Sequence, residues 1–337
     1  MKKILVTGGT GYIGSHTAID LIQNGFEVVL LDNLSRSDIF TIDRIEAITG
    51  IRPSFYEINL CDKEQTRSFF EQEKNIDGII HFAAYKYVDE SVKNPILYFR
   101  NNNDSLLNLL EFIEIYQIKN FVFSSSCSVY GNINQLPVNE ETPLNKAESP
   151  YARTKQMGEM MIEDVSQISA AQFISLRYFN PVGAHESAKI GESPSVIPNN
   201  LVPRITGTAS GKFEKLRVFG TDLPTRDGSC IRDYIHVMDL AEAHTAALKV
   251  LLEGKSNKKH DIINIGSGNG VSVLEAIAAF EKVSQQKLNV EYAPPREGDV
   301  VAIYSDCTKS KEVLNWHAKR SIEDMMLTAW NWELVNK

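Results

Sequence analysis

The sequence predicts an α/β protein built on a doubly wound parallel sheet, and three observations carry that prediction. Short runs that are apolar at nearly every position recur at residues 4–6, 28–31, 78–82, 121–123 and 173–176. Continuous runs, as opposed to alternating ones, mark strands buried on both faces of a parallel sheet. Stretches of helical period lie between them, so strand and helix alternate along the chain. The glycine-rich segment Gly8-Gly9-Thr10-Gly11-Tyr12-Ile13-Gly14 joins the first strand to the first helix.

The elements follow in order. Ile13, Thr17, Leu21 and Ile22 share one face of the first helix, and Gly25 stands where that helix should stop. A strand over 28–31 follows, then one over 78–82, a helix over about 95–116 and a strand over 121–123. The next helix starts at Tyr151, behind Ser149 as N-cap and Pro150 in the first turn, and leads to the strand at 173–176. After about residue 180 the pattern changes: Pro181, Pro194, Pro198 and Pro203 cluster, and the alternation becomes irregular. The chain is therefore divided into residues 1–180, carrying the sheet, and a smaller C-terminal lobe over 181–337 that closes on the carboxyl edge, where ligands of such sheets bind. No Gly/Ser-rich joint separates the two. Ile262-Ile263-Asn264-Ile265-Gly266 has the look of a further strand that can return to the first lobe.

A chain of 337 residues can bury a large core. The net charge of −8 argues against a nucleic-acid partner, which would need a basic face. Lys2 and Lys3 precede an apolar patch that ends at Gly8, too short for a secretory signal. No run approaches the roughly 18 apolar residues of a membrane helix, so a cytoplasmic protein without a membrane partner is expected. Cys61, Cys127, Cys230 and Cys307 lack metal-type spacing, so reduced thiols and no metal are expected.

The glycine segment has a specific chemical reading. Glycines allow close approach of a pyrophosphate, and the helix N-terminus offers free N–H groups and a favourable dipole. Asp32 follows 18 residues after Gly14, at the end of the second strand, where a carboxylate binds ribose hydroxyls and repels a 2′-phosphate. NAD is thus favoured over NADP, with Arg36 as the one discordant residue. Tyr151 and Lys155 share a helix face at i, i+4. The strand at 121–123, the fourth in this reading, delivers Ser124-Ser125-Ser126 to the carboxyl edge. A phenol of pKa about 10 is a poor base. An ammonium about 5 Å away, at an effective dielectric near 20, favours the phenolate by roughly 3 kcal/mol, or about two pKa units. Tyr151 then serves as proton acceptor, with Ser126 sharing or relaying the proton. His81 and His236 are assigned to the core or to supporting roles.

This order resembles the extended short-chain dehydrogenase/reductase superfamily. Within it the chain resembles the UDP-glucose/UDP-galactose 4-epimerases through Ser124-Ser125-Ser126 with Val129-Tyr130-Gly131, Arg177-Tyr178-Phe179-Asn180-Pro181-Val182-Gly183-Ala184, Ile197-Pro198-Asn199-Asn200-Leu201, Arg232-Asp233-Tyr234-Ile235-His236 and Arg296-Glu297-Gly298-Asp299. The resemblance implies a Rossmann sheet with a UDP-sugar-binding lobe, NAD that stays bound through each turnover, and a 4-keto sugar that turns over within the site. It places Gly8, Gly11, Tyr12, Ile13, Gly14, Asp32, Asn33, Phe82, Ala83, Lys86, Asn102, Tyr151, Lys155 and Tyr178 on the cofactor. It places Ser126, Asn180, Asn200, Leu201, Arg232, Arg296, Asp299 and Ile303 on the UDP-sugar, the arginines suiting a diphosphate by their permanent charge and forked geometry. It also implies a homodimer in which helices near 95–116 and 151–166 form a four-helix bundle. Asn59, where the family usually has an aspartate, and Arg36 depart from its pattern. Related 4,6-dehydratases carry Asp-Glu directly after the serine or threonine. Here Cys127 and Ser128 occupy those positions, which disfavours that chemistry. A related epimerase-reductase uses a cysteine in this loop, and an NAD-sensing module without catalysis is the alternative from another class. Ile303 stands where enzymes restricted to glucose and galactose nucleotides tend to have tyrosine, so activity on UDP-N-acetylhexosamines is expected as well.

Overall fold

The computed structural model describes residues 1–133, 135–193, 200–295 and 300–336. Its strands are β1 (Lys3–Thr7), β2 (Glu27–Asp32), β3 (Ser54–Glu57), β4 (Gly78–His81), β5 (Asn120–Ser124), β6 (Gln172–Tyr178), β7 (Asn180–Val182), β8 (Leu216–Phe219), β9 (Ile231–His236), β10 (His260–Ile265), β11 (Gly270–Ser272), β12 (Val290–Ala293) and β13 (Ala302–Ile303). Its helices are α1 (Tyr12–Gln23), α2 (Thr41–Thr49), α3 (Lys63–Gln72), α4 (Val88–Lys93), α5 (Pro95–Phe99), α6 (Ser105–Ile115), α7 (Pro150–Ser166), α8 (Leu201–Ala209), α9 (Val237–Leu252), α10 (Val273–Ser284), α11 (Thr308–Leu314) and α12 (Ile322–Val335).

Seven parallel strands form the Rossmann sheet in the order β10-β6-β5-β4-β1-β2-β3. From β1 the chain winds outward through β2 and β3, then crosses to β4 and winds the other way. The crevice of such a sheet lies where this order reverses, between β1 and β4. Thr7 is in register with both Leu31 and His81, so the carboxyl ends of β1, β2 and β4 open side by side.

The sheet explains its own apolar runs. Ile4, Val6, Val28, Leu30, Ile80 and Val122 pack against Ala18, Ile19 and Leu21 of α1 and Leu240, Ala247 and Leu248 of α9. Their neighbours Leu5, Val29, Leu31, Ile79, Phe121 and Phe123 face Phe69 and Phe70 of α3, Leu109 and Phe112 of α6 and Ile162 of α7. Successive side chains point to opposite faces, so covering both faces requires apolar residues throughout. α9 and β10, from beyond residue 180, are integral to this body: β10 pairs with β6 from His260↔Phe173 to Ile265↔Tyr178. The remaining strands make a four-stranded sheet (β7, β9, β11, β13) and a parallel pair (β8, β12). These pack with α8, α10 and α12 around a third core that includes Ile205, Val218, Phe280, Met326 and Trp330.

Two details differ from the sequence reading. β3 is an additional edge strand, exposed at Ser54 and Glu57, so the serine run follows the fifth strand. The helix expected over 95–116 contains a π-helical turn at Arg100–Asp104. No described helix is long and apolar enough to cross a membrane.

Candidate active site

A cleft of about 430 Å³ runs along the carboxyl edge of the sheet from the β1–α1 turn to α7. At its start Gly8 N and Gly9 N donate to Leu31 O at 2.8 and 3.3 Å, locking the turn onto β2. Gly8 has φ +66°, and a Cβ there would lie 2.7 Å from Ala83 N; a Cβ on Gly14 would lie 2.2 Å from Gly8 O. Neither position accepts a side chain. Gly11 caps α1 without a side-chain cap, leaving first-turn N–H groups for an anion. Tyr12 anchors the turn to the opposite wall by donating to Gly183 O at 2.6 Å.

Asp32 is fixed by three donors: Thr10 N at 3.3 Å, Leu34 N at 3.0 Å and Ser37 Oγ at 3.1 Å. Arg36 lines the cleft, but its guanidinium is bound to Glu90 at 2.5 Å and lies 4.9 Å from the Tyr85 ring centre. Its charge is thereby partly neutralised, which weakens the argument for a 2′-phosphate. Of the residues expected on the cofactor, Asn33, Phe82, Ala83, Lys86, Tyr151, Lys155 and Tyr178 line the same cleft as the glycines and Asp32. Asn102 does not. Its amide accepts from Tyr85 N at 2.8 Å and donates to Tyr85 O and Thr154 Oγ1, so it braces the loop after β4 against α7.

At the far end Ser149 caps α7 by accepting from Ala152 N at 3.1 Å, and Pro150 occupies the first turn. This sets Tyr151 and Lys155 facing β5. Lys155 Nζ donates to Ser124 O at 2.7 Å and lies 6.0 Å from the Tyr151 ring centre. Burial pushes the Tyr151 phenol well above its ordinary pKa, Tyr178 adds to this, and the Ser126 hydroxyl works against it. Burial pulls Lys155 down to about 7, with Glu159 opposing. The activated phenol expected from the lysine alone is therefore corrected: desolvation is the largest influence on both groups and drives each toward its neutral form. One turn beyond Lys155, Glu159 accepts from Ser125 Oγ at 2.5 Å and from Arg177 Nε and Nη2 at 2.9 and 2.7 Å.

His81 bonds Thr7 Oγ1 at 2.7 Å and is lowered to about 3 by burial and then by Lys155. His236 caps α9, its Nδ1 accepting from Met238 N at 3.0 Å, and burial lowers it to about 3. Both are neutral at physiological pH and occupied structurally. Burial, followed by the Asp233 charge, pushes the Cys127 thiol up to about 12, so it is a poor proton donor.

The residues expected on the UDP-sugar belong to other elements. Ser126 opens a 3-10 turn at Cys127–Tyr130, Asn180 begins β7, Asn200 and Leu201 begin α8, and Arg232 pairs with Ile303 between β9 and β13. None of these six lines the 430 Å³ cleft. Ile303 is buried with Val129, Tyr130 and Phe179 beside Cys127. Arg296 and Asp299 lie outside the described residues. Sequence reasoning missed Glu192, which lines the cleft and pairs with Lys86 at 2.9 Å, because 106 residues separate the partners. It also missed Glu159, although the i, i+4 spacing from Lys155 was available.

Known proteins match this arrangement over its whole length. A family model described as GDP-mannose 4,6 dehydratase matches residues 5–328. The UDP-glucose 4-epimerase of Bacillus subtilis is 46% identical over 334 residues, spanning 99% of this chain and 97% of the relative. The chain belongs to the UDP-glucose 4-epimerase family. That family lies within the extended short-chain dehydrogenase/reductases, and solved epimerases superimpose closely on the fold. The Stenotrophomonas maltophila UDP-glucose 4-epimerase, solved with NAD and formylated UDP-arabinopyranose, has TM-score 0.96 and 39% identity, covering 100% of this chain and 99% of that one. The Bifidobacterium longum UDP-glucose 4-epimerase, solved with NAD⁺ and UDP, has TM-score 0.94 and 40% identity, covering 99% of each chain. The glycine turn, which has no room for a side chain at Gly8 or Gly14, and the cleft leading from it to Tyr151 suit NAD as the epimerase cofactor.

Proposed function

We infer that this protein interconverts UDP-glucose and UDP-galactose by inverting the sugar at C4, with NAD held throughout. The observation that carries the reading is a single cleft that begins at the glycine turn and Asp32 and ends at Tyr151 and Lys155. NAD, when bound, supplies a reversible hydride acceptor. The β1–α1 turn and the α1 N-terminus would hold its pyrophosphate, and Asp32 would hold the ribose hydroxyls. Tyr151 takes the proton from the sugar 4-hydroxyl and returns it after the 4-keto sugar has turned over. Ser126 hydrogen-bonds the same oxygen. Lys155 stabilises the phenolate and would contact the nicotinamide ribose. Burial raises the Tyr151 phenol in the chain alone, and the positive charge that bound NAD would bring to the cleft would favour its ionised form.

The finer assignments are proposals of the same reading. Arg232 and Arg296 take the diphosphate, with Asn180, Asn200, Leu201 and Asp299 on the rest of the UDP portion. Ile303, smaller than tyrosine, leaves room for a 2-acetamido group, extending the activity to UDP-N-acetylhexosamines. Residues 1–180 form the cofactor domain and 181–337 mainly the UDP-sugar lobe. A homodimer is supported by apolar side chains exposed on neighbouring helices, among them Ile96 at 74% and Met160 at 66%. The protein works in the cytoplasm, in galactose metabolism. A 4,6-dehydratase is disfavoured because Cys127 and Ser128 are not carboxylates.

The deciding experiment incubates purified protein with UDP-galactose without added cofactor and identifies the product. UDP-glucose is expected, with NAD released on denaturation. A 4-keto-6-deoxy product from UDP-glucose, or recovery of NADP alone, overturns the reading.

A further inference from the structure

Ser126 begins the 3-10 turn in an extended conformation and caps it with its own side chain. Its Oγ accepts from Ser128 N at 3.2 Å and from Ser128 Oγ at 3.0 Å. A serine hydroxyl has one proton and two lone pairs. With both lone pairs engaged, the proton is the one hydrogen-bonding capacity Ser126 has left, and the Tyr151 phenol and the Cys127 thiol both lie within its reach. The turn is held against the catalytic helix: Gln156, next to Lys155 on α7, donates to Val129 O at 2.8 Å, and Val129 and Tyr130 are fully buried.

We propose that Ser128 is a positioning residue: by filling the acceptor side of Ser126, it fixes that hydroxyl as a donor toward Tyr151 and the sugar O4. The proposal rests on the epimerase reading above and deepens it. A relay through Ser126 would need Oγ to accept the sugar proton while giving its own to Tyr151. The bond from Ser128 Oγ obstructs that acceptance. The proton then passes directly between the sugar oxygen and Tyr151, while Ser126 donates to whichever oxygen carries the negative charge. A fixed donor stabilises the phenolate and the alkoxide-like oxygen, and it spares the hydroxyl a reorientation during reaction.

Ser128→Ala leaves the backbone bond to Ser126 and removes only the hydroxyl; Ser128→Thr keeps it. Rates of UDP-galactose turnover are measured as kcat and KM across pH for wild type and both variants, with melting temperatures to show that each is folded. Ser128→Ala should lower kcat about fivefold, the worth of one hydrogen bond, with KM little changed. Tyr151 works as the phenolate, so losing a fixed donor raises its pKa. The acid limb of kcat should therefore move to higher pH, by about half a unit or more. Ser128→Thr should restore both the rate and the limb. An unchanged kcat in Ser128→Ala, a loss without movement of the limb, or a loss that threonine fails to restore overturns the proposal. A wild type that does not epimerise UDP-galactose would instead strike at the functional reading.

Discussion

At one end of the cleft, Asp32 receives hydrogen bonds from two backbone amides and the Ser37 hydroxyl, and its charge is accommodated before any ligand arrives. At the other end, Tyr151 and Lys155 are buried side by side, and desolvation drives each toward its neutral form. The first arrangement suits persistent binding. The second suits chemistry that begins when a cation and a substrate complete the site, since desolvation disfavours the charged form of each group until then. In the proposed reading, one cleft thus combines a preset binding end with a reactive end held in reserve.

The strongest challenge to this contrast is Tyr151→Phe. Turnover should fall about 100- to 10,000-fold, the usual contribution of a general base, while bound NAD measured after denaturation stays near wild type. Normal turnover, or cofactor loss with the phenol, would erase the division between the two ends.

The complementary variant is Asp32→Ala. NAD affinity should fall about 10- to 100-fold through lost charge-assisted hydrogen bonds, while turnover per bound NAD is largely retained. Because Arg36 is paired with Glu90, NADP should gain little; titration of cofactor-stripped protein with both dinucleotides checks this. A switch to NADP would show that Arg36 leaves Glu90.

Selectivity comes next. Wild type should turn over UDP-N-acetylglucosamine and UDP-N-acetylgalactosamine, and Ile303→Tyr should reduce that activity about tenfold more than activity on UDP-galactose. Parallel rates on the four sugars decide it, and equal losses on both pairs would make Ile303 a packing residue only.

The smallest effect concerns stability in the cofactor-stripped protein. Lys155 has a folded pKa of about 7, below the ordinary lysine value of about 10.4. Between these values the unfolded chain binds the extra proton, so this group makes stability rise with pH across that window. Lys155→Met should flatten the rise, by a few degrees in Tm at most for a protein of this size. An unchanged slope would mean that the ammonium is not desolvated.

Much of the binding end could be read from the sequence because its determinants are local. The glycines, Asp32 and the β1–α1 turn lie within one strand-helix-strand unit, and the Ser149 cap precedes its helix directly. Long-range partners were not legible. Arg36 meets Glu90 across 54 residues, and Lys86 meets Glu192 across 106. The i, i+4 spacing correctly brought Lys155 to the face of Tyr151, but spacing carries no information about burial, and burial sets the sign of both pKa shifts. β3 escaped notice because an edge strand with exposed ends lacks the apolar run that betrays a central one.

The placement of β10 bears on how the enzyme is made. β6 obtains its outer neighbour only from residues 260–265, so synthesis must pass residue 265 of 337 before the sheet can close. Until then the nascent chain presents a β6 edge of seven residues whose Phe173, Ile174 and Leu176 are fully buried in the finished protein. Unpaired apolar edges invite association with other chains. Chains that stop after β6 is complete at residue 178 and before β10 begins at residue 260 would therefore carry this open apolar edge, suited to chaperone or protease capture.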